Sequence, residues 1–210
     1  MCDKPEPDNY RVYPAQVIRS DTKWPSLVAV GEIGLDFSPW ILESTAKEWG
    51  VSVDEVKAEQ RRVFSAQIKL AKERGLPVNV HSRNAGHHAI AVLEECGMLD
   101  RALLHAFDGA PKHAVRAAQL GALFSVPGSI ARDDSTKRLV DKLPLASLCL
   151  ESDAPALPPV KGDRTWPLHS VVISAQHIAS IKGVSVEEVA RVTTENASKL
   201  FRLQLKESIS

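Results

Sequence analysis

Four short apolar runs limit what this chain can fold into: Val-Gly-Glu-Ile-Gly-Leu-Asp (30–36), Val-Asn-Val-His-Ser-Arg (78–83), Leu-Leu-His-Ala-Phe (103–107) and Leu-Glu-Ser-Asp-Ala-Pro (150–155). Each has the length and continuous hydrophobicity of a strand buried on both faces of a parallel sheet. Each ends in one side chain able to bind metal: Glu32, His81, His105 and Asp153. Strands of this kind alternating with helices describe an α/β barrel of the TIM type, in which the C-terminal strand ends share one mouth. Two imidazoles and two carboxylates meeting there suit a divalent ion, Zn, Mn or Mg, with a hydrolytic water activated on it.

Taken singly, these residues have plainer readings. A histidine at a strand end is ordinarily a hydrogen-bonded core or rim residue, and Glu32 or Asp153 alone could cap the helix that follows. The metal reading rests on the joint event, four strands in order with a ligand-type residue at the same end of each.

These runs, together with Thr-Glu-Asn-Ala-Ser-Lys-Leu-Phe (194–201), resemble the motifs of the TatD-like metal-dependent deoxyribonucleases, in that family's order and over roughly residues 27 to 202. The resemblance implies that Glu32 bridges two metals, that His81 and His105 complete one site, and that Asp153 belongs to the other and takes a proton from the attacking water. It also implies DNA as substrate, attacked at ends or in single strands, with Glu32 and Asp153 as the catalytic pair. The chain departs from the family in one respect. Members begin with a strand ending in His-x-His, whereas none of the seven histidines here precedes His81. One metal site is therefore expected whole and the second reduced to Glu32 and Asp153, giving one or two ions per chain.

Arg83, just beyond the apolar run 78–82, is a candidate fork for a phosphodiester oxygen, because a planar guanidinium matches that geometry; a salt bridge to a loop carboxylate is the alternative. Asp36 either caps its turn or orients a ligand or substrate. Arg132 is a weaker phosphate candidate. His87 and His88 are set aside as a metal pair, since neighbours at a helix start point about 100° apart and chelation favours i and i+4. Side-chain alternation along the last strand is expected to turn Glu151 away from the metal, into an outer shell or a salt bridge.

Ser52-Val-Asp-Glu55 and Ser185-Val-Glu-Glu188 are capping boxes that open helices to Arg74 and Phe201. Segment 37–51 reads as a loop with one helical turn, whose Phe37, Trp40 and Trp49 either pack on the barrel rim or stack on a base. Residues 1–26 read as an atypical N-terminal arm, with Tyr10–Val17 as a possible short strand placing Tyr13 where the family has a histidine, and residues 27–210 as a partial barrel. Five parallel strands are clear, so the barrel is expected to be incomplete at its N-terminus, with an exposed apolar edge that a partner chain could cover.

The 210 residues carry 26 basic and 26 acidic side chains, so a broad basic footprint for duplex DNA is not expected. Three cysteines with no paired spacing, and no apolar run of about 18 residues, place the protein in the cytoplasm or nucleus with no membrane span. Two rivals to the nuclease reading remain: a catalytically inactive form retaining part of the metal site, and another amidohydrolase-type enzyme acting on a lactone, amide or phosphotriester.

Overall fold

A computed structural model describes residues 27–163 and 171–204. Five strands, β1 (Val30–Gly34), β2 (Val78–His81), β3 (Ala102–Leu104), β4 (Leu123–Val126) and β5 (Leu148–Leu150), form one sheet in chain order. Every pairing is parallel. Helices α1 (Pro39–Trp49) and α2 (Val53–Glu73) lead from β1 to β2, and α3 (Gly86–Glu95), α4 (Pro111–Gln119) and α5 (Asp134–Lys142) make the next three crossings. After β5 come α6 (Val171–Lys182) and α7 (Val186–Phe201).

The period-2 pattern of β2 shows how the sheet divides its faces. Val78 and Val80 are fully buried, while Asn79 and His81 remain partly accessible on the other side. On α2, Val56, Phe64, Ile68 and Ala71 form the buried stripe. Val63, next to Phe64 in sequence, lines a cavity. Burial of these aliphatic and aromatic groups contributes about 1.5–3 kcal/mol for each large side chain.

The helix ends follow local chemistry. Ser52 accepts from the Glu55 amide while the Glu55 carboxylate accepts from the Ser52 amide, so both arms of the first capping box form. At Ser185 only the first arm is made, because the Glu188 carboxylate is held by Arg191. Segment 37–51 departs from expectation: it is an 11-residue helix rather than a loop with one turn. Pro39 fixes the first turn, and Leu42 and Ala46, four apart, bury one face.

Among the described residues the sheet is open, with β1 at one edge and β5 at the other. Leu27 and Val28, just before β1, and Trp40 and Ile41 of α1 are exposed among the described residues, with Trp40 58% accessible. Asn196 ties α7 back to the sheet by donating to the carbonyls of Leu145 and Leu148, at 3.2 and 2.7 Å. Tyr10–Val17, the possible short strand, lies outside the described residues.

Candidate metal centre

The site begins with a close approach of two backbones. A Cβ at Gly31 would stand 2.6 Å from Asn79 Cβ, and one at Gly34 would overlap the His81 carbonyl, so only glycine lets β1 lie this close to β2. The register between the two strands slips between Val30 and Ile33, an irregularity of the kind that re-aims a side chain. Glu32 sits within it.

Glu32 Oε1 lies 2.8 Å from His81 Nδ1 and 3.2 Å from His105 Nε2, so a single carboxylate oxygen meets the imidazoles of two neighbouring strand ends. A ligand atom from each of these three residues falls within 4.8 Å of the others. Donors about 2.1 Å from a common ion stand roughly 3 Å apart, so the set fits a small divalent ion. Two imidazoles and one carboxylate suit Zn or another first-row metal.

The remaining nitrogen of His105 is fixed by Glu151. His105 Nδ1 is 2.9 Å from Glu151 Oε2, the Ala106 amide donates to Glu151 Oε1 at 3.0 Å, and the Ser125 hydroxyl donates to Oε2 at 2.5 Å. Burial depresses the affinity of His105 for a proton, but the hydrogen bond and charge of Glu151, with Glu32 and Asp153, outweigh it and raise its pKa. Glu151 thus takes the expected outer-shell, ion-paired place and is not a ligand, although alternation is not the reason, since residues 151 and 153 have the same parity. Ser125 is absent from the sequence-based candidates because its strand ends in no ligand. Its signal is parity, since Ser125 faces Cys149 in register and so shares a face with Glu151.

Asp153 lines a cavity of about 220 Å³ with His81, Arg83, His105 and Ser125, but its carboxylate lies outside the three-residue group. Burial pushes its pKa up; the neighbouring His105 opposes this, while Glu151 and Glu32 add to it. Its φ of 50° is a left-handed conformation, uncommon outside glycine and asparagine-like residues and frequent at functional sites. A second cavity, of about 540 Å³, is also lined by Glu32 and His81 and reaches Asp36, Gln60 and Trp49.

Asp36 and Arg83 are brought together, 3.8 Å apart, and Asp36 Oδ2 is also 3.7 Å from His81 Nε2. Asp36 is partly buried, which by itself would raise its pKa, but Ser38, Arg83 and His81 together hold it below the usual range. Both backbone groups of residue 36 are clamped by the Gln60 side chain at 2.9 Å, a partner from α2 that no local sequence signal points to. Arg132 is committed elsewhere, donating to the Pro158 carbonyl at 3.0 Å. His87 and His88 stay out of the metal group, as expected. Phe37 is buried and Trp49 half-buried, leaving Trp40 as the exposed ring of that segment.

Residues 9–202 match the TatD related DNase family. The chain belongs to that family. Its TatD relatives include the deoxyribonuclease TATDN3 of Homo sapiens, 50% identical over 175 residues, which cover 83% of this chain and 60% of the human protein. A metal-dependent hydrolase of Bacillus subtilis, YabD, is 33% identical over 182 residues, 84% of this chain and 66% of that protein. The chain thus spans about 60% of the length of the human relative. The crystal structure of the TatD homologue YjjV of Escherichia coli superposes with a TM-score of 0.74 at 30% identity, covering 90% of this chain and 68% of the other. The five parallel strands and their helices are thereby placed as part of a TatD barrel, of the metallo-dependent hydrolase type. No described helix is long and apolar enough to cross a membrane.

Proposed function

We propose that this chain is a metal-dependent hydrolase of DNA phosphodiester bonds. The observation that carries the reading is the contact of Glu32 Oε1 with both His81 Nδ1 and His105 Nε2 at adjacent strand ends. Family membership and the names of the human and bacterial relatives support the reaction class. When bound, a divalent ion such as Zn, Mg or Mn neutralises charge on the phosphoryl group and lowers the pKa of water.

The chain's own residues do the rest. Glu32, His81 and His105 hold the ion, and Glu151 keeps the Nε2 of His105 turned to it. Asp153 accepts a proton at its carboxylate, a role favoured by the burial that raises its basicity. Arg83, half-exposed and loosely paired, exchanges Asp36 for a phosphate oxygen. The substrate is a DNA end or a single strand, and a partner chain covers the exposed β1 edge. Free Cys96 and buried Cys149, whose thiol burial pushes up to about 12, fit a reducing compartment, the cytoplasm or nucleus.

A second reading draws on Asp153 lying outside the ligand group: a form that binds one ion without hydrolysis. Digestion of single-stranded DNA with added Mg or Mn, with His105→Ala as control, separates the two. Release of nucleotides by wild type alone supports the nuclease; equal inertness of both supports the second reading.

A further inference from the structure

Outside the metal centre, cationic and imidazole side chains from three helices form one continuous ridge. Arg61 Cζ and Lys57 Nζ, both from α2, stand 5.1 and 5.8 Å above the ring of Phe37. The His88 ring packs on the same phenylalanine at 5.1 Å, and its Nδ1 is 3.4 Å from Arg61 Nη2. His87 follows 3.9 Å from His88, and His113 of α4 lies 5.5 Å from His87. The ridge adjoins the site: the Phe37 amide donates to the Arg83 carbonyl at 2.9 Å, and Arg83 reaches Asp36 beside His81.

The charge on this ridge is poorly compensated. Lys57 has Asp54 at 3.7 Å and Arg83 has Asp36 at 3.8 Å, while Asp108 Oδ2 is taken up by the Asn84 amide. Arg61 has no carboxylate within ion-pair distance among the described residues. Neither α3 nor α4 carries an acid in its first turn. His88 is held below the ordinary imidazole range by burial, then by His87, Arg61 and Lys57, with no acid opposing them. His113 is likewise held down by burial, Lys112 and His87, so the ridge's positive charge is that of Lys57 and Arg61, with the imidazoles beside them as hydrogen-bonding groups.

We propose that the ridge Lys57–Arg61–His88–His87–His113 is the track for the sugar–phosphate backbone of a single-stranded nucleic acid whose end lies at Glu32, His81 and His105. The inference rests on the nuclease reading for its substrate class. Arg61 is the main anchor, because its guanidinium offers donors that no protein carboxylate occupies. The side chains follow one another from Arg61 through His88 and His87 to His113, a succession that suits a single strand rather than the two backbones of a duplex. A short substrate occupies the metal centre without touching it.

The test measures binding of a fluorescein-labelled 12-nucleotide single strand by anisotropy across a salt series, with chelator present to prevent cleavage. Arg61→Gln should weaken binding roughly tenfold, as removal of a charge-assisted hydrogen bond does. The slope of log affinity against log salt should become shallower by about 0.7 for each phosphate no longer neutralised, so Lys57→Gln with Arg61→Gln should remove about twice that. Arg61→Lys keeps the charge and should keep most of the slope, which separates a binding role from a folding defect. Hydrolysis of bis(p-nitrophenyl) phosphate by the metal-loaded protein should be unchanged in Arg61→Gln. Unaltered affinity and slope in the double variant, or no binding by the wild type, would overturn the ridge. A wild type that binds through Arg61 but hydrolyses neither substrate would overturn the nuclease reading and leave the ridge standing.

Discussion

The carboxylate of Glu151 lies 2.9 Å from His105 Nδ1 and so decides which nitrogen of that imidazole faces Glu32. Two further donors, the Ala106 amide and the Ser125 hydroxyl, hold the carboxylate in place. Outer partners that orient a ligand in this way typically change metal affinity by about 10–100-fold. Glu151→Ala should therefore weaken Zn or Mn binding by that factor without touching a ligand, and Ser125→Ala should do so by less. Competition against a chromogenic chelator measures both.

The same pair gives the metal-free protein a pH dependence. His105 has a higher pKa folded than unfolded, so its contribution is complete below about 6.5, the ordinary imidazole value, and is lost as pH rises through the folded value. Denaturant midpoints of the metal-free chain should fall over that range as pH increases. Glu151→Gln should flatten the dependence; an unchanged slope would remove Glu151 as its cause.

Gly34 is required by the approach of β1 to β2. Gly34→Ala adds a methyl against the His81 carbonyl at a φ of 150°, and should cost about 3 kcal/mol or more, with metal binding lost in parallel. Gly50→Ala, where nothing lies within 4 Å, bears only the milder cost of its left-handed φ of 66°. Thermal melts of the two variants provide the comparison.

Asn196→Ala removes the side-chain donor from the carbonyls of Leu145, which still accepts from the Leu148 amide, and of Leu148, and should cost about 1 kcal/mol. The loss should appear in unfolding and not in metal affinity, because Asn196 is remote from Glu32.

Much of this site is legible in the sequence because a parallel strand announces itself as an apolar run, and its last residue falls at the mouth. His81 closes β2 and His105 follows β3 directly, whereas Glu32 lies inside β1, where the strand register slips. Side chains whose partners come from distant elements are not legible. Gln60, one among many polar residues on a helix, clamps Asp36 only once α2 has packed beside β1. Glu151 shares the parity of Asp153, so the strand's alternation, followed strictly, assigns it to the inner face. Ser125 escapes a search for ligands because a hydroxyl is none; it acts on the carboxylate of Glu151, which reaches the site from the neighbouring strand. The helix at Pro39–Trp49 is hidden by a short pattern in which only Leu42 and Ala46 are buried.

Whether Glu32, His81 and His105 hold the ion is read from metal content per chain, measured on wild type, His81→Ala, His105→Ala and His87→Ala after loading with Zn or Mn and exhaustive dialysis. Wild type and His87→Ala should retain bound metal and the other two should retain little. Retention by His81→Ala and His105→Ala, or loss from His87→Ala equal to theirs, would contradict that ligand set.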